Sequence, residues 1–256
     1  MRQAEELRDA VEAYLRSLTL APELGKLEEA LRYSLDSGGK RIRPVLCLAV
    51  AEAAGGDVEQ GLPAAAALEL VHTFSLVHDD LPAMDDDSER RGRPSTHIAF
   101  GEGAALLAGD ALLAEAMRLA LTYDDSQIAR ELVDATLGMI GGQYRDITGD
   151  DGDLAELHRL KTGRLFAASV GLGLQVAGVE ESDQGSWRAF GGEIGLLFQI
   201  VDDILDGDGL AGRLPSDEVR RLADGSAERA RMQLDGIRAN TGVLRELVDA
   251  VAIRTV

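Results

Sequence analysis

The chain has 256 residues, 45% of them hydrophobic and 28% charged, with a formal net charge of −19. That composition excludes wholesale disorder and suits one large domain or two small ones, while the acidic balance excludes a nucleic-acid partner, whose phosphates demand a basic surface. The lone Cys47 excludes an intramolecular disulfide and a multi-cysteine zinc site, no run of about 18 apolar residues offers a membrane span, and the charged Met1–Glu6 stretch has no signal-peptide core, so a soluble cytoplasmic protein is expected.

Alanine, leucine, glutamate and arginine fill most of the chain, with apolar residues recurring at helical spacing, as in Leu106, Leu107, Leu113, Met117 and Leu121. The pattern predicts helices over 2–17, 22–36, 44–54, 62–84, 102–122, 126–142, 153–176, 184–206, 215–235 and 240–253. No run of alternating β-branched residues predicts a sheet. The six prolines are expected at helix starts, helix ends or loops, and Cys47, inside Pro44–Val50, as a buried thiol. Gly141-Gly142 and the stretch from Gly207 to Gly212 are expected as breaks, and neither resembles an interdomain linker. The fold expectation is all-α, with residues 1–256 forming a single domain.

The first chemical motif in chain order is Gly38-Gly39-Lys40-Arg41-Ile42-Arg43-Pro44, three cations between a flexible diglycine and a helix start. Backbone donors, a helix N-terminus and basic side chains make a phosphate site there, although such a patch taken alone is more often plain surface charge. Next, the apolar segment Leu68–Val77 leads into His78-Asp79-Asp80-Leu81-Pro82-Ala83-Met84-Asp85-Asp86-Asp87, with Arg90, Arg91 and Arg93 close behind. His72, Ser75 and Asp79 are three and four apart and share a helix face. A second apolar helix leads through Phe198-Gln199-Ile200-Val201 to Asp202-Asp203-Ile204-Leu205-Asp206. Asp202 and Asp206 fall about 40° apart on one face, as do Gln199 and Asp203. One acidic run is commonly solvated surface. Two of them, each ending a greasy helix, point to divalent cations, because so many half-buried carboxylates repel one another unless cations lie between them. Mg²⁺ suits such oxygen ligands and usually keeps positions for a substrate's phosphates. The spacing of a calcium loop is absent.

These strings, with Arg90-Arg91-Gly92-x-Pro94, Gly109-Asp110-Ala111-Leu112, Gly141-Gly142-Gln143 and Lys161-Thr162-Gly163, resemble the trans-isoprenyl diphosphate synthases over roughly residues 30–206. The two-residue insertion Pro82-Ala83 resembles the bacterial farnesyl diphosphate synthase branch. The resemblance implies an isoprenoid-synthase-type helical bundle around a central elongated cavity, and a head-to-tail prenyltransferase that joins isopentenyl diphosphate to an allylic diphosphate, dimethylallyl or geranyl. It implies a metal set of Asp79, Asp80, Asp85, Asp202, Asp203 and Asp206 holding three Mg²⁺ per site, with Asp79, Asp85 and Asp203 leading. Arg90, Lys161, Thr162 and Gln199 would hold the allylic diphosphate, and Lys40, Arg43, His72 and Arg91 the isopentenyl diphosphate. Phe74 and Ser75 would limit chain length, favouring farnesyl diphosphate over the geranyl or geranylgeranyl product, and the enzyme would be a homodimer. Metal, lysine and arginine would stabilise the departing diphosphate while the neighbouring double bond attacks the allylic cation.

Two other readings are weighed against this one. Terpene cyclases usually pair a single aspartate motif with an Asn/Ser/Glu triad, whereas this chain has a second aspartate motif. A non-catalytic helical partner subunit would not need both. One departure from the family stands out: the lysine-rich loop and Lys-x-Thr-Tyr-Pro-like segment that usually follow the second motif are replaced by Gly207–Pro215, where Arg213 is the nearest basic residue and no lysine follows Lys161.

Overall fold

The computed structural model describes residues 2–149, 163–207 and 209–253. Among them are eleven α-helices: α1 (Ala4–Ser17), α2 (Leu27–Leu35), α3 (Ile42–Ala53), α4 (Val58–Asp79), α5 (Thr96–Phe100), α6 (Glu102–Ala120), α7 (Ser126–Thr148), α8 (Arg164–Val176), α9 (Gly185–Asp206), α10 (Ser216–Asp235) and α11 (Gly242–Ala252). The all-α expectation holds. The only strands among the described residues are Glu89–Arg90 and Arg93–Pro94, which pair antiparallel across the Arg91-Gly92 turn.

α4 is the axis of the bundle. It packs most extensively on α6 and also touches α1, α2, α3, α7 and α8. Its middle reads Ala64-Ala65-Ala66-Ala67-Leu68-Glu69-Leu70-Val71, every residue buried, which a helix surrounded on all sides requires. Small residues allow close approach elsewhere too. A Cβ on Gly173 of α8 would crowd the Cys47 carbonyl and Val50 of α3, and Cys47 is buried as expected.

Besides an α4 that ends at Asp79 rather than at residue 84 and an α5 that the pattern did not predict, three departures have a visible cause. α4 begins at Val58, capped by the Asp57 carboxylate accepting from Glu59 N at 2.8 Å, so Pro63 lies inside the helix rather than at its start. Proline there removes a ladder bond and crowds the carbonyl four residues back. The Tyr123 hydroxyl enters the ladder beside it, accepting from Ala64 N at 3.1 Å and donating to Gln60 O at 2.6 Å. α7 runs straight through Gly141-Gly142 to Gly149, whose left-handed φ of 68° ends it. Helical neighbours on both sides outweigh the propensity cost of two glycines, about 1 kcal/mol each. The stretch expected over 22–36 is interrupted at Gly25, between a short 3-10 turn (Pro22–Leu24) and α2. The beginning of the helix expected over 153–176, with Lys161 and Thr162, lies outside the described residues.

Candidate active site

Both aspartate motifs sit at helix C-termini and face a cavity of about 620 Å³ bounded by α3, α4, α6, α7, α8 and α9. Asp79, Asp202, Arg43 and His72 line it together with Phe74 and Ser75 of α4. Its remaining wall is largely apolar, including Leu113, Met139, Ile140 and Ile147. Charge thus gathers where α4 and α9 end, beside a greasy wall supplied mainly by α6 and α7.

Beyond α4 the chain folds back on itself. Asp85 N donates to the Asp79 carbonyl at 2.9 Å and Asp86 N to the Leu81 carbonyl at 3.2 Å, with Asp86 in a left-handed conformation. The loop opened by Pro82-Ala83 therefore returns Asp85 to the end of the helix that carries Asp79. Asp80, by contrast, is buried beneath Arg90, whose Nε donates to it at 2.8 Å and whose Nη2 also contacts it. Arg90 reaches Asp87 as well, at 2.9 Å. Burial pushes the Asp80 carboxyl up, against the pull of Arg90. Arg91 donates to the Gly38 carbonyl and ties the hairpin to the diglycine loop; a Cβ on Gly39, where φ is 132°, would strike its guanidinium.

The second motif divides in the same way. Asp202 is half-buried on the cavity wall. Asp203 is buried, accepting from Gln199 Nε2 at 2.7 Å and from Leu210 N at 2.8 Å, so it joins the end of α9 to the turn that follows. Gln199 and Asp203 are the i,i+4 pair that the spacing predicts. Asp206 is exposed.

The basic loop spreads its cations in three directions. Lys40 is exposed and lines a separate cavity of about 330 Å³ against α1 and α11. Arg41, left-handed at φ 49°, turns into the core and donates to Glu12 at 2.7 Å and Glu69 at 2.6 Å. Arg43 enters the main cavity, its guanidinium 4.8 Å from the Phe166 ring centroid and 5.5 Å from that of Phe198. Its Nε is buried without a hydrogen-bond partner, and burial lowers the guanidinium to about 10, opposed by Glu69 and Asp202. Burial, then the positive field of Arg43 and Arg91, drives His72 well below the usual imidazole range, so it is neutral near pH 7.

The structure thus brings Asp79, Asp202, Arg43, His72, Phe74 and Ser75 to one cavity. Asp80, Arg90 and Arg91 gather behind it, around a void of about 20 Å³. Among the described residues no three His, Cys, Asp or Glu side chains stand close enough to hold an ion by themselves. Two facing carboxylates still fit Mg²⁺, which commonly binds one or two carboxylates and completes its shell with phosphate and water. The buried Arg43 Nε beside them fits the anion. Sequence reasoning assigned no role to His78, Asp110, Met139, Gln143 and Tyr144, which also line the cavity. The signal for the α7 members was present as an apolar spacing that continues past Gly141-Gly142.

Comparison with known proteins gives this arrangement a family. The polyprenyl synthetase model matches residues 25–212. The chain is 41% identical to farnesyl diphosphate synthase of Geobacillus stearothermophilus over 222 residues, 81% of this chain and 74% of that one. It is 48% identical to geranylgeranyl diphosphate synthase of Cyanophora paradoxa over 195 residues, 70% of this chain but only 64% of the relative, less than two thirds of its length. A geranyltransferase structure from Legionella pneumophila superposes with a TM-score of 0.90 at 34% identity, covering 98% of this chain and 96% of that one. The chain belongs to the polyprenyl synthetase family.

Proposed function

We propose that this chain is a head-to-tail prenyltransferase that joins isopentenyl diphosphate to dimethylallyl or geranyl diphosphate, with farnesyl diphosphate as its main product. One observation carries the reading: Asp79 and Asp202 end two different helices at the same apolar cavity, with Arg43 and His72 beside them. A diphosphate needs cations at its head, and a prenyl chain needs the greasy wall beyond. Phe74 on that wall, 7% exposed, supports a product of limited length.

In this proposal Asp79, Asp85 and Asp202 bind the cations that hold the allylic diphosphate, with Asp80, Asp203 and Asp206 available to the set. Asp202 takes the lead that the resemblance gave to Asp203, because Asp203 is engaged by Gln199 and Leu210 N. Mg²⁺, three per site, would neutralise charge on the departing diphosphate. Arg90, Lys161, Thr162 and Gln199 hold the same group, and Lys40, Arg43, His72 and Arg91 take isopentenyl diphosphate. Arg90 must first leave Asp80 and Asp87. Neutral His72 donates one N–H to an anion without adding charge. The apolar wall, whose Ile140 and Ile147 are 45% and 55% exposed, would exclude water from the cation formed when the allylic bond breaks once a partner's α7 covers it. We also propose a homodimer, formed through the apolar stripe Val133, Leu137, Ile140, Tyr144 and Ile147 of α7, whose members recur at four and three residues and are 39–67% exposed.

The decisive experiment incubates the purified chain with Mg²⁺, isopentenyl diphosphate and either allylic substrate, and resolves the products by mass spectrometry. Farnesyl diphosphate is expected. No condensation by the chain alone, but condensation on adding a partner synthase, would instead support the non-catalytic subunit.

A further inference from the structure

His78 stands directly before the first aspartate pair, and its ring lies against α6. Its Nε2 lies 3.0 Å from the Leu106 carbonyl, with Asp110 Oδ1 at 3.9 Å. The imidazole fills a notch at Gly109, where a Cβ would overlap it. It also meets the ring of Phe74, one helical turn earlier, at 5.0 Å between centroids and 73° between planes. Edge-to-face contacts of this kind are favourable at 4.5–7 Å. Both rings line the cavity with Leu113 of α6 and Met139 of α7. The main-chain acceptor, the glycine notch and the aromatic contact therefore act in series: α6 fixes the imidazole, and the imidazole limits where the Phe74 ring can lie.

We infer that His78, seated in the Gly109 notch, is a specificity-determining wedge that sets the position of Phe74 and hence the length of prenyl chain the cavity accepts; this rests on the prenyl-transfer reading above. The two sides of the wedge give opposite predictions. His78→Ala leaves an imidazole-sized space into which the Phe74 ring swings, deepening the cavity. Gly109→Ala pushes the imidazole out of its notch and onto Phe74, making the cavity shallower. Removing the imidazole removes what the added methyl would push against, so the double variant should behave like His78→Ala alone.

The test supplies dimethylallyl and isopentenyl diphosphates to the full chain and to each variant, and measures product ratios rather than rates. The geranylgeranyl-to-farnesyl ratio should rise about fivefold in His78→Ala, the size of one lost aromatic contact. Gly109→Ala should instead accumulate the geranyl product. Condensation with an unchanged distribution in both single variants would overturn the wedge and leave prenyl transfer standing. So would complete loss of condensation in both, which would put His78 among the groups that handle diphosphate. A wild-type chain that condenses nothing would remove the underlying reading itself.

Discussion

Asp79 stands half-buried on the cavity wall, whereas Asp203 is 2% exposed and takes hydrogen bonds from Gln199 and the Leu210 amide. Alanine at either position should remove most turnover. Stability should separate the two: Asp203→Ala leaves a buried amide and a side-chain N–H unpaired, costing about 1–3 kcal/mol, while Asp79→Ala should cost less and relieve carboxylate repulsion. Thermal melts of the metal-free variants check this, and an equal loss of Tm in both would contradict the division of roles. His72 makes a second residue-scale prediction. Its folded pKa lies below the unfolded value of about 6.5, so below that value the unfolded chain binds the extra proton first. The stabilising contribution is full above that pH and declines as pH falls toward the folded value. His72→Gln should therefore show a shallower fall in Tm between pH 7 and pH 5 than the parent does. Spacing alone put Gln199 and Asp203 on one face, where the structure pairs them, because i,i+4 is a local relation on a helix. That Asp80 belongs to Arg90 was not legible, because the contact exists only once the Glu89–Pro94 hairpin has folded back.

At the scale of the element, α4 carries both the first carboxylates and Phe74, an aromatic side chain that lines the cavity, so its straightness matters. The Tyr123 hydroxyl serves both Ala64 N and Gln60 O next to Pro63, and burial raises its phenol well above the usual range. Tyr123→Phe leaves two backbone groups of α4 without that partner and should destabilise the fold by about 1–3 kcal/mol, measurable by urea titration. A change below a few tenths of a kcal/mol would mean that water replaces the hydroxyl there. Helix existence and order were readable from periodicity nearly throughout, and α9, α10 and α11 match their expected spans to within two residues at each end. Where the reading failed, at Pro63 and at Gly141-Gly142, a tertiary neighbour or the flanking helix overrode a local breaker. The hydroxyl beside Pro63 comes from a distant residue and leaves no mark in the local sequence, whereas the flanking helix past Gly141-Gly142 does, in the apolar spacing that continues through Tyr144 and Ile147.

For the whole molecule, the stripe on α7 gives the most direct test of assembly. Leu137, 61% exposed, is the second of its five members. Leu137→Glu should convert the proposed dimer to monomer by light scattering, since a desolvated, unpaired carboxylate opposes an apolar interface. A parent chain that is already monomeric would refute the stripe as a dimer face. The fold class and the two acidic helix ends were legible because each is written in contiguous residues. The cavity's far wall was not, since it is shared among α6, α7 and α8, whose mutual positions no local pattern encodes.

The pairing of Arg90 with Asp80 and Asp87 has a thermodynamic consequence. On the proposed reading, an incoming diphosphate does not meet a bare guanidinium; it displaces two carboxylates from one. The displaced carboxylates would then repel the polyanion that freed them, unless a divalent cation arrives to take them over. The two ligands should therefore be linked, each binding more tightly in the other's presence and by the same factor. Calorimetric titration of pyrophosphate with and without Mg²⁺ measures that factor, corrected for complex formation in solution. Arg90→Ala should reduce it toward unity, because the exchange of partners would have lost its arginine.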